Sequence, residues 1–74
     1  MPGDPAAVWS LIQRADELIK YASNRDERAA YAQARAALTE AEILIPELDE
    51  PQRVRFTEQI ALRRGDLDRY DPAS

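Results

Sequence analysis

The chain has no cysteine and no histidine among its 74 residues, and only 2 glycines. Without cysteine there is no disulfide framework, no thiolate nucleophile and no cysteine-bearing zinc site. Without histidine there is no imidazole base and no histidine-ligated metal. Two glycines cannot build a glycine-rich phosphate loop. Basic charge is also short: 10 Lys and Arg stand against 14 Asp and Glu, a formal charge of −4, so there is no chain-wide basic field for nucleic acid. No apolar run approaches the roughly 18 residues that a membrane span needs. The start, Met1-Pro2-Gly3-Asp4-Pro5, lacks a basic region followed by an apolar run, so it does not read as a signal peptide, and a cytoplasmic setting is expected.

What is abundant is alanine, with 13 copies, and 9 of the 10 basic residues are arginine. Ala, Arg, Leu, Glu and Gln are strong helix formers, and only 9 residues are β-branched, so an all-α protein is expected. The length permits one domain, 1–74, with short frayed tails at both ends. A chain this small buries only about 60% of its unfolded surface, so self-association would add useful burial.

Proline and glycine punctuate the chain. Asp4 is an N-cap type and Pro5 then falls at the first helical position, where its missing N–H is harmless. Val8, Leu11, Ile12, Ala15, Leu18, Ile19 and Ala22 follow at helical spacing, which predicts a first helix over about 5–22. Asn24 with Glu27 three residues later reads as a capping box opening a second helix over about 24–45. Tyr31, Ala34, Leu38, Ala41, Ile45 and Leu48 form its a/d series, widened by Ala30, Ala37 and Leu44. Pro46 disfavours helical backbone at Ile45, so this helix stops or kinks near Leu44. Asp49-Glu50-Pro51 opens a third helix over about 50–64, with Val54, Phe56, Thr57, Ile60, Ala61, Arg64 and Leu67 on one broad face and Gly65 as its C′ residue. Short connections make successive helices antiparallel, giving an up-down-up three-helix bundle.

Ala29, Ala32, Ala36 and Ile43 lie nearly opposite the core stripe of the second helix. They are either plain helix formers or one wall of a shallow groove beside the third helix that accepts a partner helix. Ile43 and Leu62, both off their own core stripes, would be the anchors. Trp9 and Tyr21 sit at the margins of the first helix's stripe, where large aromatics either cap a core or serve an interface.

Glu40, Glu42, Glu47, Asp49 and Glu50 form an acidic run, answered by Arg53, Arg55, Arg63 and Arg64 on the third helix. Intramolecular pairing on a solvated surface is the plain reading. Glu40 and Glu47 are two turns apart and cannot share an ion, so no metal site is expected. The arginines could face a nucleic acid, but no aromatic alternates with them as a stacking platform requires, and the net charge argues against it. Ser10 and Ser23 have no base, and nothing positions a substrate, so no catalytic residue and no cofactor are expected and the chain does not read as an enzyme.

Ala15-Asp-Glu-Leu-Ile-Lys, then Glu27-Arg-Ala-Ala-Tyr31-Ala-Gln-Ala-Arg-Ala-Ala-Leu38-Thr-Glu-Ala41, then Leu62-Arg-Arg-Gly65-Asp-Leu67 resemble the three-helix microtubule-interacting-and-trafficking domain, and also one and a half tetratricopeptide repeats. The tetratricopeptide Trp-Leu-Gly-Tyr pattern and 34-residue spacing are absent. The resemblance implies a scaffold that holds a partner helix in a groove, and it carries over no catalytic residue. The sequence thus yields three functional expectations: a helical interaction module that binds a partner helix or itself, a structural homo-oligomer, or a nucleic-acid-associated protein using the third-helix arginines.

Overall fold

The computed structural model describes residues 3–22 and 26–71. Three helices account for most of them: α1 (Pro5–Lys20), α2 (Glu27–Leu44) and α3 (Glu50–Tyr70). The backbone starts where local chemistry directs. The Asp4 carboxylate accepts from the Ala6 N–H at 3.0 Å, with Pro5 beginning α1. Asp26, not Asn24, caps α2: its carboxylate accepts from the Ala29 N–H at 3.3 Å. The Asn24 capping box lies outside the described residues. Asp49 precedes α3 with extended backbone and makes no side-chain cap bond.

Two helix ends, and the backbone of one residue, differ from expectation. α1 stops at Lys20, two residues early, with Tyr21 as its C-cap. Ile45 keeps helical backbone despite the proline after it. A single 3₁₀ turn, Ile45–Glu47, absorbs Pro46, and the chain turns extended only at Leu48. The third difference is the largest. Gly65 does not end α3, which continues to Tyr70. Its φ is not positive, so it is an ordinary helical residue. Burial supplies the reason: Leu67, two turns beyond Ile60, is fully buried, and stopping at Gly65 would withdraw it.

The cross-contacts establish directions. Trp9 meets Phe56 and Asp16 meets Arg63, so residues farther along α1 meet residues farther along α3 and the two run parallel. Arg35 meets Asp71 while Glu42 meets Arg64, so α2 runs against α3. The result is the up-down-up three-helix bundle, 38 Å along its longest axis.

α1 and α2 are the most closely packed pair. Ala15 and Ala22 of the first arm, and Ala30, Ala34, Ala37 and Ala41 of α2, are all buried. Methyl side chains let helix axes approach the low end of the usual ~8–10 Å. α3 instead contributes Phe56, Ile60 and Leu67. Val8, Ile12, Leu38 and Leu67 are the largest fully enclosed side chains, each stabilising the fold by about 1.5–3 kcal/mol. Trp9, half-buried, lies 6.2 Å from Phe56, ring centre to ring centre, and covers one end of this core. At that end the Gly3 N–H also donates to the Glu47 carbonyl at 2.8 Å. Val54, Thr57 and Ala61, expected on the α3 core face, are exposed. Two supporting helices cover a narrower arc than the apolar spacing allows, and these three fall outside it.

Candidate docking surface between α2 and α3

The side of α3 excluded from the core borders a hollow of about 430 Å³ against the end of α2. Ile45 and Pro46 wall it on one side, and Ile60, Thr57 and Ala61 on the other. Its position follows from the 3₁₀ turn: Pro46 tightens the chain after α2, and the small Ala61 on α3 leaves the space unfilled. The Glu42–Arg64 pair bridges the hollow at 2.6 Å, and Arg64 also donates to the Thr39 hydroxyl at 3.3 Å. Both partners are part-exposed, so the bridge contributes only about 0–1 kcal/mol. It can open without much loss.

The residues singled out in the sequence do not converge on this hollow. Ile43 and Leu62 stand out from the surface at 70% and 60% exposure and do not line it. Ala29 and Ala32 are exposed on α2. Ala36 faces the other way, into a small depression with Leu11, Arg14 and Gln33 on the α1 side. Tyr21 borders another depression there, with Glu17, Leu18 and Gln33. Trp9 is committed to Phe56. Ile45, Pro46, Thr57 and Ala61 were missed as lining. A signal for half of them exists: Val54, Thr57, Ala61 and Arg64 repeat at helical spacing beside the true stripe of Phe56, Ile60 and Leu67, as a second stripe.

The charges divide between neighbours. Arg63 turns to α1, 3.5 Å from Asp16 and bonded to the Gln59 side chain, while Arg64 turns to α2. Arg53 and Arg55 are exposed. These four of the five arginines on α3 therefore do not share one face. Arg35 sits between Asp68 at 3.6 Å and Asp71 at 3.4 Å, and the Asp71 side chain is only 9% exposed, so the end of α3 is tied to α2. Of the expected frayed tail, Asp71 is thus anchored, and 72–74 lie outside the described residues. Among the described residues no three Asp or Glu side chains gather as a metal site, and no helix is long and apolar enough to cross a membrane.

Comparison with protein-family models, curated proteins and solved structures found no match to this chain.

Proposed function

We propose that the chain is a small non-enzymatic interaction module that takes one face of a partner helix in the hollow between α2 and α3. The observation that carries this reading is that an apolar-walled hollow lies on a bundle whose exposed side chains include Ile43, Val54 and Leu62, each more than half exposed. A helix-in-groove contact needs that combination: a recess for an anchoring side chain, and aliphatic surface to bury around it. The Glu42–Arg64 bridge supplies a polar rim of both signs. The divergence of Arg63 and Arg64 disfavours the nucleic-acid reading, because phosphate binding wants cations gathered along one track.

The test is Ala61→Arg. Ala61 is exposed in the middle of α3, so the change leaves the core intact while a long side chain fills the hollow. In affinity capture followed by chemical-shift mapping, Ala61→Arg abolishes partner binding, Ile43→Asp and Leu62→Asp weaken it, and Gln13→Arg on exposed α1 surface does not. Full binding by a folded Ala61→Arg variant overturns the assignment. Sedimentation at rising concentration shows whether the captured partner is a second copy.

A further inference from the structure

The side of α3 turned away from the bundle carries a short seam. At about 100° per residue, Glu58, Leu62, Gly65 and Arg69 fall within about 60° of one another, opposite the buried Ile60. All four are exposed. Their spacing along the chain, four, three and four residues, is that of a contact line between two helices. We propose that this face pairs two copies of the chain, antiparallel and two-fold symmetric.

Gly65 is the residue that a single copy does not account for. Its φ is not positive, and a Cβ built there meets nothing within 4 Å. Glycine weakens the interior of a helix, and no turn or close approach within the chain requires it here. What it does is leave a recess on the open surface of α3, about one turn from Leu62, whose side chain stands out at 60% exposure.

Size and charge together identify the occupant as a second copy. With the two-fold axis passing between Arg63 and Arg64, Leu62 of each copy meets Gly65 of the other, and Glu58 of each meets Arg69 of the other. Large faces small and acid faces base, each twice over. Arg63 and Arg64 are turned away from this face, toward Asp16 and Glu42. Parallel pairing would set Glu58 on Glu58 and Arg69 on Arg69. Sliding the antiparallel pair by half a heptad sets Leu62 on Glu58 in one direction and Gly65 on Arg69 in the other. A single register therefore seats the leucine and pairs the charges at once. Arg69 is free to turn to it: its side chain is 67% exposed and reaches Asp66 only at 3.8 Å. The four layers span about 17 Å of helix, so the interface belongs to the small, weak class, with an expected Kd of about 100 µM. This contact is separate from the hollow, since Ile45, Pro46 and Thr57 take no part in it.

The test is sedimentation equilibrium of the whole chain from about 10 µM to about 1 mM, a range that brackets that Kd. Glu58→Arg and Arg69→Glu, both at exposed positions, should each weaken association about tenfold or more, because symmetry turns two pairs repulsive together. An equimolar mixture of these two variants should associate again, since the two arginines of the first then meet the two glutamates of the second. Gly65→Ala should weaken association about fivefold or more, because its methyl occupies the place of the incoming Leu62. Thr57→Arg, which fills the hollow, should leave association unchanged. A monomer throughout the range, full association in Arg69→Glu, or a mixture no better than its components would each overturn the proposal. Association lost in Thr57→Arg and kept in Arg69→Glu would also overturn it, and would place the second copy in the hollow instead.

Discussion

The two glycines of the chain respond in opposite senses to the same added methyl group. Gly65 lies in the interior of α3 with ordinary helical φ, and a Cβ built there meets nothing within 4 Å. Gly65→Ala therefore gains helix propensity at no steric cost, about 0.8–1 kcal/mol. For a domain of this size that raises the thermal midpoint by roughly 4–8 °C. With an m-value near 1 kcal/mol/M, it raises the urea midpoint by somewhat under ~1 M. Were Gly65 instead a C′ residue in left-handed conformation, the same change would destabilise by about 1–2 kcal/mol. Gly3 is the contrast. A Cβ there would stand 2.9 Å from Glu47 Cβ and 3.2 Å from the Glu47 carbonyl carbon. The segment must move away, and the 2.8 Å bond from the Gly3 N–H to Glu47 goes with it. Gly3→Ala should lose about 0.5–1.5 kcal/mol, the net value of one such bond. Urea unfolding of both variants, followed by far-ultraviolet circular dichroism, reads the two signs together. A Gly65→Ala variant less stable than the parent would refute the continuous α3, and a more stable Gly3→Ala would refute the contact with Glu47.

Leu38 is fully buried at the centre of α2, so Leu38→Ala should lose about 2–5 kcal/mol, enough to leave a bundle this small largely unfolded by circular dichroism. Tyr31 makes stability sensitive to alkali. Its hydroxyl ionises later in the folded chain than its ordinary value of 10.0, because of burial first and then Glu27, Asp71 and Tyr70. This group leaves stability unchanged below pH 10, and stability then falls as pH rises through the folded value, because the unfolded chain releases the proton first. Urea midpoints from pH 8 to 11 should fall less steeply for Tyr31→Phe than for the parent. Identical slopes would mean that the hydroxyl is not so placed.

The helix starts at Pro5 and Glu50 and the end at Leu44 were legible because capping and proline act within a few residues. The buried sides of α1 and α2 were legible too: Val8, Ile12, Ala15 and Leu18, and Ala30, Tyr31, Ala34, Ala37, Leu38 and Ala41, recur at helical spacing and are buried. α3 was harder. Gly65 carries a strong local stop signal, and it is overridden by Leu67, whose burial depends on helices distant in sequence. Val54, Thr57 and Ala61 show the same limit. Spacing says that they lie near the core face, but the arc that becomes core depends on where α1 and α2 stand. The hollow between α2 and α3 belongs to no single element, since it needs Pro46 beside Ala61. Ile43 and Leu62 were legible as stray apolar side chains, yet nothing in either helix alone says what stands beside them.

The buried alanines of α1 and α2 also limit how this sequence can drift. At a position such as Ala34 or Ala41, wholly enclosed, every larger side chain wedges the two helices apart, at about 1–3 kcal/mol, and glycine weakens the helix itself. Such positions have almost no acceptable neighbours in sequence space. The outer side of α3 has no comparable restriction, since Val54, Ala61 and Leu62 touch little. Descendants of this chain would therefore keep the alanine seam almost letter for letter while rewriting the outer side of α3 freely, so the face proposed to meet a partner helix is the one left open to change.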